Sequence, residues 1–229
     1  MLEELKFEVY RANRALMDRG LVKLTFGNAS GYDENEGLVV IKPSGVPYSE
    51  LVPKEMLVVD LDGNVVEGDL RPSTDTPTHL LLYRSFEGIC GITHAHSRYA
   101  TMFAQAEREI PCYGTTHADH FNGPIPVTRR LTREEVAGEY EANTGRLILE
   151  RFNGIDPLAM PAVLVAGHGP FTWGGKVKES LDNSVALEIV AEMAFGTQLL
   201  RMDAKTLDRY LLEKHHQRKH GNTAYYGQD

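Results

Sequence analysis

The segment that decides the fold class is residues 60–66, with the sequence Asp-Leu-Asp-Gly-Asn-Val-Val. Its Asp62-Gly63 pair is typical of a tight two-residue turn, and the residues on either side favour extended backbone. We therefore predict a hairpin that joins a strand at residues 56–60 to a second strand. Because the strands of a hairpin pair antiparallel, this segment excludes an all-parallel sheet.

Helices and strands are interspersed on both sides of this hairpin. Residues 2–19 carry one apolar stripe at helical spacing and end at Gly20, a residue type that commonly stops helices. Further helices are predicted to follow Asp75 and to cover residues 98–107, 133–152, 176–201 and 204–217, and further strands residues 38–42, 88–96 and 162–166. With no repeat or long linker, residues 1–229 are expected to form a single α/β domain with a mixed, mainly antiparallel sheet.

Composition limits the partners that the protein can have. The chain has 229 residues and a formal net charge of −8, from 24 Lys and Arg against 32 Asp and Glu. This acidic balance argues against binding to nucleic acid or to anionic membranes. The two cysteines are too few for a disulfide scaffold and are typical of a reducing cytoplasm.

Two segments bear on export and membranes. The N-terminal segment mixes acidic and basic residues from Glu3 onward and has no apolar run, so no signal peptide is predicted. Residues 157–175 lack Asp, Glu, Lys and Arg and are long enough to cross a bilayer, but Pro161, Pro170 and several glycines would break a membrane helix. We expect a soluble, cytoplasmic protein in which residues 157–175 form a buried strand that runs into a glycine-rich loop.

His94-Ala-His96 is a candidate metal site. In a strand, residues two apart point to the same face, so both imidazoles can approach one ion. His168 follows a short apolar strand and is the leading third ligand, and three protein nitrogens with an open position are typical of a catalytic divalent metal. An isolated pair of this kind can equally be a surface or hydrogen-bonded pair, and His117 and His120 could be ligands or loop residues.

Asp119 lies in a polar segment and is a candidate acid/base. The same pattern is compatible with two other roles for Asp119, as a metal ligand or as a simple turn residue. Three more segments carry the groups that phosphate sites require, although each alone is a generic loop: residues 25–30, 42–45 and 72–75. Asp75 could cap the next helix or act in catalysis. The chain has no P-loop and no dinucleotide-binding glycine motif, so no nucleotide cofactor is predicted.

The C-terminal residues 214–229 are basic and aromatic in an otherwise acidic chain. Three interpretations of this tail stay open on the residues alone. It is a solvated tail, a nucleic-acid patch that the net charge disfavours, or a segment that docks onto a neighbouring subunit and contributes Arg and Tyr to an anionic site there.

Eight segments, taken together, resemble the class II aldolase/epimerase family. They occur in order along essentially the whole chain without large gaps, which makes the resemblance specific. The segments are LTFGNAS (24–30), IKPSGVPY (41–48), RPSTDTPTH (71–79), GITHAHS (91–97), GTTHADHF (114–121), GEYEANTG (138–145), HGPFTWG (168–174) and KHHQRKHGNTAYYGQ (214–228). Small departures at Thr74, Ala95 and Gly167 keep the ligands and a hydroxyl group.

The resemblance implies a three-layer α/β/α sandwich with a central, mainly antiparallel sheet. It also implies a C4 homotetramer with active sites between subunits, and a divalent metal, normally Zn²⁺ with Mn²⁺ or other ions able to substitute. The implied metal ligands are His94, His96 and His168, with Asp75 beside the metal as a water-mediated or weak ligand. The residues implied for binding the substrate phosphate are Asn28, Lys42, Ser44, Gly45, Ser73 and Thr74.

The implied acid/base pair is Asp119 and Tyr226, with Tyr226 coming from the adjacent subunit. His215 and Arg218 match tail positions that complete the site, and Glu141 matches a residue near it. The implied reaction interconverts the phosphorylated ketopentoses L-ribulose 5-phosphate and D-xylulose 5-phosphate, which differ at C4, by retro-aldol cleavage of C3–C4 and re-addition. Two acid/base groups on opposed faces are needed for this. In this family His117 and His120 would be loop residues and not ligands.

Two alternatives share the fold. A class II aldolase of the L-fuculose-1-phosphate type uses the same metal site but releases its products. It carries Glu where this chain has Asp75 and lacks the full AYYGQ tail, so the epimerase reaction is favoured. A non-catalytic interaction module, as in the adducin head domain, would have no need to retain His94, His96, His168, Asp119 and Tyr226.

Overall fold

A computed structural model describes residues 2–220 and 224–225 of the chain. These residues contain seven strands, which form one sheet in the order β4-β3-β2-β1-β5-β7-β6. Every pairing between the named strands is antiparallel. The strands are β1 (Asn28–Asp33), β2 (Leu38–Ile41), β3 (Leu57–Asp60), β4 (Val65–Glu67), β5 (Gly91–His94), β6 (Ala162–Val165) and β7 (Gly169–Gly174).

Eight α-helices lie within the described residues. None of them combines the length and the hydrophobicity needed to cross a bilayer. The helices are α1 (Glu3–Asp18), α2 (Thr76–Ser85), α3 (Arg98–Gln105), α4 (Thr115–Ala118), α5 (Arg133–Ala137), α6 (Tyr140–Arg151), α7 (Val177–Leu200) and α8 (Arg209–His220), and a 3-10 turn covers Pro53–Glu55.

The predicted hairpin is present between β3 and β4. Gly63 in its turn has φ +90°, a left-handed value that glycine adopts without a steric penalty. The Gly63 N–H donates to the Asp60 carbonyl (3.1 Å) and the Asn64 N–H donates to the Asp60 carboxylate (2.8 Å). The mainly antiparallel sheet is thereby confirmed, and the one parallel pairing among the described residues is an isolated bridge between Val127 and Leu164.

Helices cover both faces of the sheet. Alternate residues of β2 and β3 point to opposite sides, so Val39 and Val59 pack with apolar residues of α2, α3 and α6, whereas Val40 and Val58 pack with those of α1. The long helix α7 contributes residues to both apolar clusters. The α/β/α sandwich that the resemblance implies is confirmed by this arrangement.

The helix predicted over residues 133–152 is in fact two helices. The first helix begins with a capping box, in which the Glu135 N–H donates to the Thr132 hydroxyl (3.2 Å) and the Thr132 N–H donates to the Glu135 carboxylate (2.7 Å). α5 nevertheless ends at Ala137, because Gly138 adopts φ −92° and ψ −130°, outside the helical region. α6 then starts at Tyr140, so the break places this tyrosine at the beginning of a helix.

Two more boundaries differ from the sequence prediction. Residues 169–174, predicted as a glycine-rich loop, form the strand β7 because they pair with both β5 and β6. Glycine is needed here for close approach, since a Cβ on Gly169 would lie 2.8 Å from the Ala95 carbonyl oxygen. The last helix starts at Arg209 and not at residue 204, because the Leu207 N–H donates to the Cys112 carbonyl (2.7 Å) and holds the preceding chain outside a helix.

Candidate metal centre and active site

The strands around β5 bring the predicted histidines together at one end of the strands. β5 ends at His94, and His96 follows two residues later. β6 and β7 form a hairpin, and His168 lies immediately before β7. On the other side of β5, Asn28 of β1 pairs with His94. The register of the sheet therefore places Asn28 beside the histidines as well.

His94, His96 and His168 form a compact triad. The ring centroids are 4.9 Å apart for residues 94 and 96, 4.8 Å for 94 and 168, and 5.1 Å for 96 and 168. One ligand atom from each ring lies within 4.8 Å of the other two, and the Nε2 atoms of His94 and His96 are 3.1 Å apart. The structure thus brings together the three histidines that the sequence singled out.

The hydrogen bonds of the triad leave ring nitrogens available to a metal. Nδ1 of His94 lies 2.9 Å from the Pro170 carbonyl oxygen, which can only accept, so Nδ1 carries the proton and Nε2 keeps a free lone pair. Nδ1 of His168 is buried and has no hydrogen-bond partner among the described residues. Three converging imidazoles with unused nitrogens fit a divalent ion such as Zn²⁺.

The pKa values of the three imidazoles are lowered. Burial, and then the neighbouring His96, lower the pKa of His94 to about 3. Burial and the two other histidines lower the pKa of His168 to about 3. His96 reaches the surface, yet desolvation still lowers its pKa against the opposing charge of Asp75. All three rings are therefore neutral at neutral pH, which is the form that binds metal.

The residues predicted to bind phosphate line one cavity of about 250 Å³. Three segments line it: residues 25–28, the loop after β2 and the loop before α2. Backbone hydrogen bonds join these loops, from the Ser44 N–H to the Arg71 carbonyl (2.9 Å) and from the Ser73 N–H to the Lys42 carbonyl (3.0 Å). All six residues predicted to bind phosphate lie in the wall of this cavity, which we call the phosphate cavity after that prediction. They are Asn28, Lys42, Ser44, Gly45, Ser73 and Thr74.

Lys42 supplies the positive charge of the cavity. Its side chain is only 2% exposed, its ammonium donates to the Pro43 carbonyl (3.1 Å), and it lies 4.9 Å from the centre of the Tyr48 ring. Burial lowers the pKa of Lys42 to about 8, and no carboxylate among the described residues forms an ion pair with it. A buried ammonium without a counter-ion favours the arrival of an anion.

Asp75 faces the site and does not cap α2. It occupies the position before the helix, but its side chain makes no capping hydrogen bond. Instead Nδ2 of Asn28 donates to Oδ2 of Asp75 (2.7 Å) and to Oγ of Ser73 (3.0 Å). The negative charge of Asp75 acts on both His96 and His168, although its carboxylate is not grouped with the ligand atoms of the triad.

Asp119 lies in a second cluster, directly after α4. Its carboxylate accepts hydrogen bonds from Nε (2.9 Å) and Nη2 (2.6 Å) of Arg218 and from Nδ1 of His215 (3.0 Å). Desolvation raises the pKa of Asp119, but the hydrogen bonds and charges of Arg218 and His215 outweigh it, so the pKa is lowered and the carboxylate is ionised. Within residues 2–220, Asp119 has no hydrogen bond or ion pair with the histidine triad.

The structure places the predicted tail residues on α8. His215 and Arg218 belong to the same chain as the Asp119 that they bind. Tyr226 lies outside the described residues. Glu141 lies in the first turn of α6, where its carbonyl accepts a hydrogen bond from the Thr78 hydroxyl (2.6 Å).

His117 and His120 lie outside the triad. His117 is part of the short helix α4 and not of a loop, and its Nε2 donates to the Gly123 carbonyl (2.8 Å). Burial lowers the pKa of His117 to about 4. The ring of His120 packs on Phe121, with 6.1 Å between ring centroids.

Two aromatic residues beside the triad have no role in the sequence prediction. The ring of Phe26, which also lines the phosphate cavity, is 6.0 Å from the ring of His96. The ring of Tyr140 is 6.2 Å from that of His168, and burial followed by the charge of Asp75 raises the pKa of Tyr140. The segment GEYEANTG contains this tyrosine, but only the packing of α6 brings it to the histidines.

Comparisons with known proteins agree with this architecture. Residues 7–195 match the family described as Class II Aldolase and Adducin N-terminal domain. Two curated relatives, both named L-ribulose-5-phosphate 4-epimerase UlaF, come from Salmonella paratyphi C (strain RKS4594) and Salmonella choleraesuis (strain SC-B67). Each is 49% identical over 227 residues, which is 99% of this chain and 100% of the relative.

Solved structures with the same fold are also similar to this chain. An L-fuculose 1-phosphate aldolase matches it with a TM-score of 0.81 and 25% identity, over 94% of this chain and 95% of the aldolase. A protein named YgbL from Klebsiella pneumoniae matches with a TM-score of 0.73 and 24% identity, over 93% of this chain and 99% of its own. The family match and the end-to-end relatives together establish that the chain belongs to the class II aldolase and adducin N-terminal domain family.

Proposed function

We propose that this protein is a metal-dependent L-ribulose-5-phosphate 4-epimerase, which interconverts L-ribulose 5-phosphate and D-xylulose 5-phosphate by cleavage of C3–C4 and re-addition. The observation that carries the proposal is the pairing of a neutral histidine triad with a cavity that holds a buried ammonium, one that forms no ion pair within the described part of the chain. A metal site next to an anion site fits a sugar phosphate. The 49% identity to curated epimerases supports this particular reaction.

We assign the divalent ion, Zn²⁺ first and Mn²⁺ as a substitute, to His94, His96 and His168. When bound, such an ion supplies Lewis-acid stabilisation of the negative charge that develops on substrate oxygens during carbon–carbon cleavage. His94 is held for this role by its hydrogen bond to the Pro170 carbonyl and by the Phe171 ring, which stacks on it at 4.1 Å. Asp75 is assigned a place beside the metal as a water-mediated or weak ligand.

We assign the substrate phosphate to the cavity lined by the loops after β2 and before α2. Lys42 provides the charge, and the hydroxyl and amide side chains provide hydrogen-bond donors. Gly45 has φ +71°, which lets the backbone turn at the cavity wall. The phosphate must stay bound while the aldehyde fragment turns over, because re-addition on the other face is what inverts C4. The assigned residues are Asn28, Lys42, Ser44, Gly45, Ser73 and Thr74.

We assign proton transfer to Asp119 and Tyr226 on opposed faces of the substrate. The ionised Asp119 can accept the proton of the C4 hydroxyl, and Arg218 and His215 hold its carboxylate in position. Because Asp119 shares no hydrogen bond or ion pair with the triad within the described residues of its own chain, we assign it to the triad of a neighbouring subunit in a C4 homotetramer. His215, Arg218 and Glu141 would then complete a site shared between subunits.

The proposal also includes a single domain of residues 1–229 in the cytoplasm, with no nucleic acid, membrane or nucleotide cofactor as partner. Cys90 and Cys112 are both free thiols, which is typical of a reducing compartment.

A class II aldolase of the L-fuculose-1-phosphate type is the second candidate. The observation that favours it is the similarity in fold and sequence to an L-fuculose 1-phosphate aldolase. The two reactions share carbon–carbon cleavage and differ in the fate of the fragments. An epimerase retains the aldehyde and re-adds it, whereas an aldolase releases it.

One assay separates the two candidates. The zinc-loaded protein is incubated with L-ribulose 5-phosphate, and D-xylulose 5-phosphate, glycolaldehyde phosphate and dihydroxyacetone are quantified together. We expect D-xylulose 5-phosphate without free fragments. Release of glycolaldehyde phosphate and dihydroxyacetone as the main products would assign the protein to the aldolases. Turnover that survives metal removal, verified by elemental analysis, would contradict the role of the triad.

A further inference from the structure

Tyr140 has no role in the proposed reaction so far, although it contacts the triad. Its ring centroid lies 6.2 Å from that of His168, at an interplanar angle of 38°. Phe26, on the wall of the phosphate cavity, contacts His96 instead. A ligand that spans the triad and the cavity therefore has one aromatic ring beside each of these two histidines.

The backbone of Tyr140 is held firmly in this place. The Thr144 hydroxyl donates to the Tyr140 carbonyl (2.9 Å), and the Thr78 hydroxyl of α2 donates to the next carbonyl, that of Glu141 (2.6 Å). α6 and α2 pack so closely that a Cβ on Gly145 would lie 3.0 Å from Cδ2 of Leu81. Since α2 begins directly after Asp75, the same helix pair positions Asp75 and Tyr140 relative to each other.

The hydroxyl of Tyr140 is available to a ligand. Other tyrosines near the site use their hydroxyls internally: Tyr48 donates to the Phe26 and Gly27 carbonyls (2.8 Å each), and Tyr83 pairs with the Ser30 hydroxyl (2.7 Å). Among the described residues, the Tyr140 hydroxyl has no hydrogen-bond partner. The hydroxyl oxygen is also not among the fully buried polar atoms that lack a partner, so solvent reaches it, and an oxygen of a ligand bound at the triad can replace water there.

We propose that Tyr140 is a substrate-binding residue whose hydroxyl donates a hydrogen bond to an oxygen of the phosphorylated ketopentose bound at the triad. This inference rests on the proposed function. Tyr140 orients the sugar and does not exchange a proton with it, so it differs in role from Asp119 and Tyr226. The sugar is then held at three points: by the phosphate cavity, by the triad and by the Tyr140 hydroxyl.

The variant Tyr140→Phe tests this, because it removes the hydroxyl and keeps the ring that packs on His168. The matched control is Tyr10→Phe, whose ring packs on Phe7 of α1. For each zinc-loaded protein we would measure zinc content, the calorimetric Kd for L-ribulose 5-phosphate, and KM and kcat. We expect Kd and KM to rise about tenfold in Tyr140→Phe, as for the loss of one hydrogen bond, with unchanged zinc content and an unaffected control.

The possible outcomes are distinct. Kd and KM within about twofold of the wild-type values would overturn the role of Tyr140. Loss of zinc from Tyr140→Phe would also overturn it, since the residue would then act on the metal site. A wild-type protein that binds the sugar phosphate without converting it would refute the epimerase reaction alone, and the Kd comparison would still decide on Tyr140. A wild-type protein that neither binds nor converts it would overturn both proposals.

Discussion

At the scale of single residues, the buried position of the Lys42 ammonium is unfavourable for folding but favourable for binding an anion. Its ammonium is 2% exposed, and burial lowers its pKa to about 8. The folded protein therefore bears a desolvation penalty that an incoming phosphate would relieve. This combination indicates a role in binding and not in stability.

The variant Lys42→Met should separate these two effects. Loss of one charged hydrogen bond to a phosphate is expected to raise KM about 10- to 100-fold. The urea midpoint should stay the same or rise, because the buried charge is gone. Lys178→Met, whose side chain is 81% exposed, serves as the control and should change neither quantity. A large loss of stability together with an unchanged KM would contradict the assignment.

We expect His117 to lower the free energy of unfolding of the protein in acid. Burial lowers its pKa in the folded protein from 6.5 to about 4. Between these values the unfolded chain binds a proton that the folded protein does not, so the free energy of unfolding falls as the pH falls. The wild-type protein should lose about 3 kcal/mol through this residue between pH 6.5 and pH 4.

The measurement is urea unfolding of the wild-type protein and His117→Gln at several pH values. Above pH 7 the difference between their free energies of unfolding should be constant. Below pH 6.5 the wild-type curve should approach that of the variant, because only the wild-type protein carries this titration. Parallel curves over the whole range would show that His117 does not contribute to acid sensitivity.

At the scale of elements, close packing of β5 against the start of α7 supports the strand that carries His94. A Cβ on Gly91 would lie 2.5 Å from the Lys176 carbonyl oxygen and 2.6 Å from Cα of Val177. Both are backbone atoms at the start of α7, so neither can rotate away. β5 in turn ends at His94, which makes this contact part of the support of the candidate metal site.

Gly91→Ala should therefore be strongly destabilising, by about 2–3 kcal/mol, as expected when backbone must move to admit a methyl group. The matched control is Gly114→Ala, because a Cβ there would have no atom within 4 Å. Chemical denaturation of both variants measures the difference. Equal stability of the two variants would mean that α7 can shift away from β5 without a free-energy penalty.

At the scale of the whole molecule, the site residues fall into two separate clusters. One comprises the histidine triad with the phosphate cavity, and the other comprises Asp119 with His215 and Arg218 on α8. The family resemblance implies a tail that acts on the adjacent subunit. Because α8 binds Asp119 of its own chain, we expect Asp119 and the tail to act together on the triad of a neighbour.

Mixed oligomers test this arrangement. His94→Asn and Asp119→Asn chains, each inactive alone, should regain activity after co-refolding, because some interfaces then hold an intact triad and an intact Asp119. With equal mixing in a cyclic oligomer, about one quarter of the wild-type activity is expected.

The matched control is a mixture of Asp119→Asn and Arg218→Met chains, which should recover no activity because both changes affect the same cluster. Recovery in this control would mean that Arg218 and Asp119 serve a site from different chains. Absence of recovery in the His94→Asn and Asp119→Asn mixture would place each complete site within one chain.

Local patterns determined many of the elements and the identity of the candidate ligands. The Asp62-Gly63 turn, the stop at Gly20 and the capping box at Thr132 all act over a few residues, so they can be read from neighbouring positions. The convergence of His94 and His96 follows from their spacing in the chain. The wrong boundaries, at Gly138 and in residues 169–174, occur where strand pairing or a non-helical glycine overrides the local pattern.

Tertiary structure decided everything that depends on register between distant segments. The pairing of Asn28 with His94, the hydrogen bonds that join the loops at Lys42 and Ser73, and the packing that brings Tyr140 to the triad all link residues far apart in sequence. No local periodicity encodes such contacts, since a shift of one residue in strand pairing would turn the same side chains to the opposite face. The side chains able to act can therefore be identified from the sequence, whereas the antiparallel sheet and its helix packing set which of them meet.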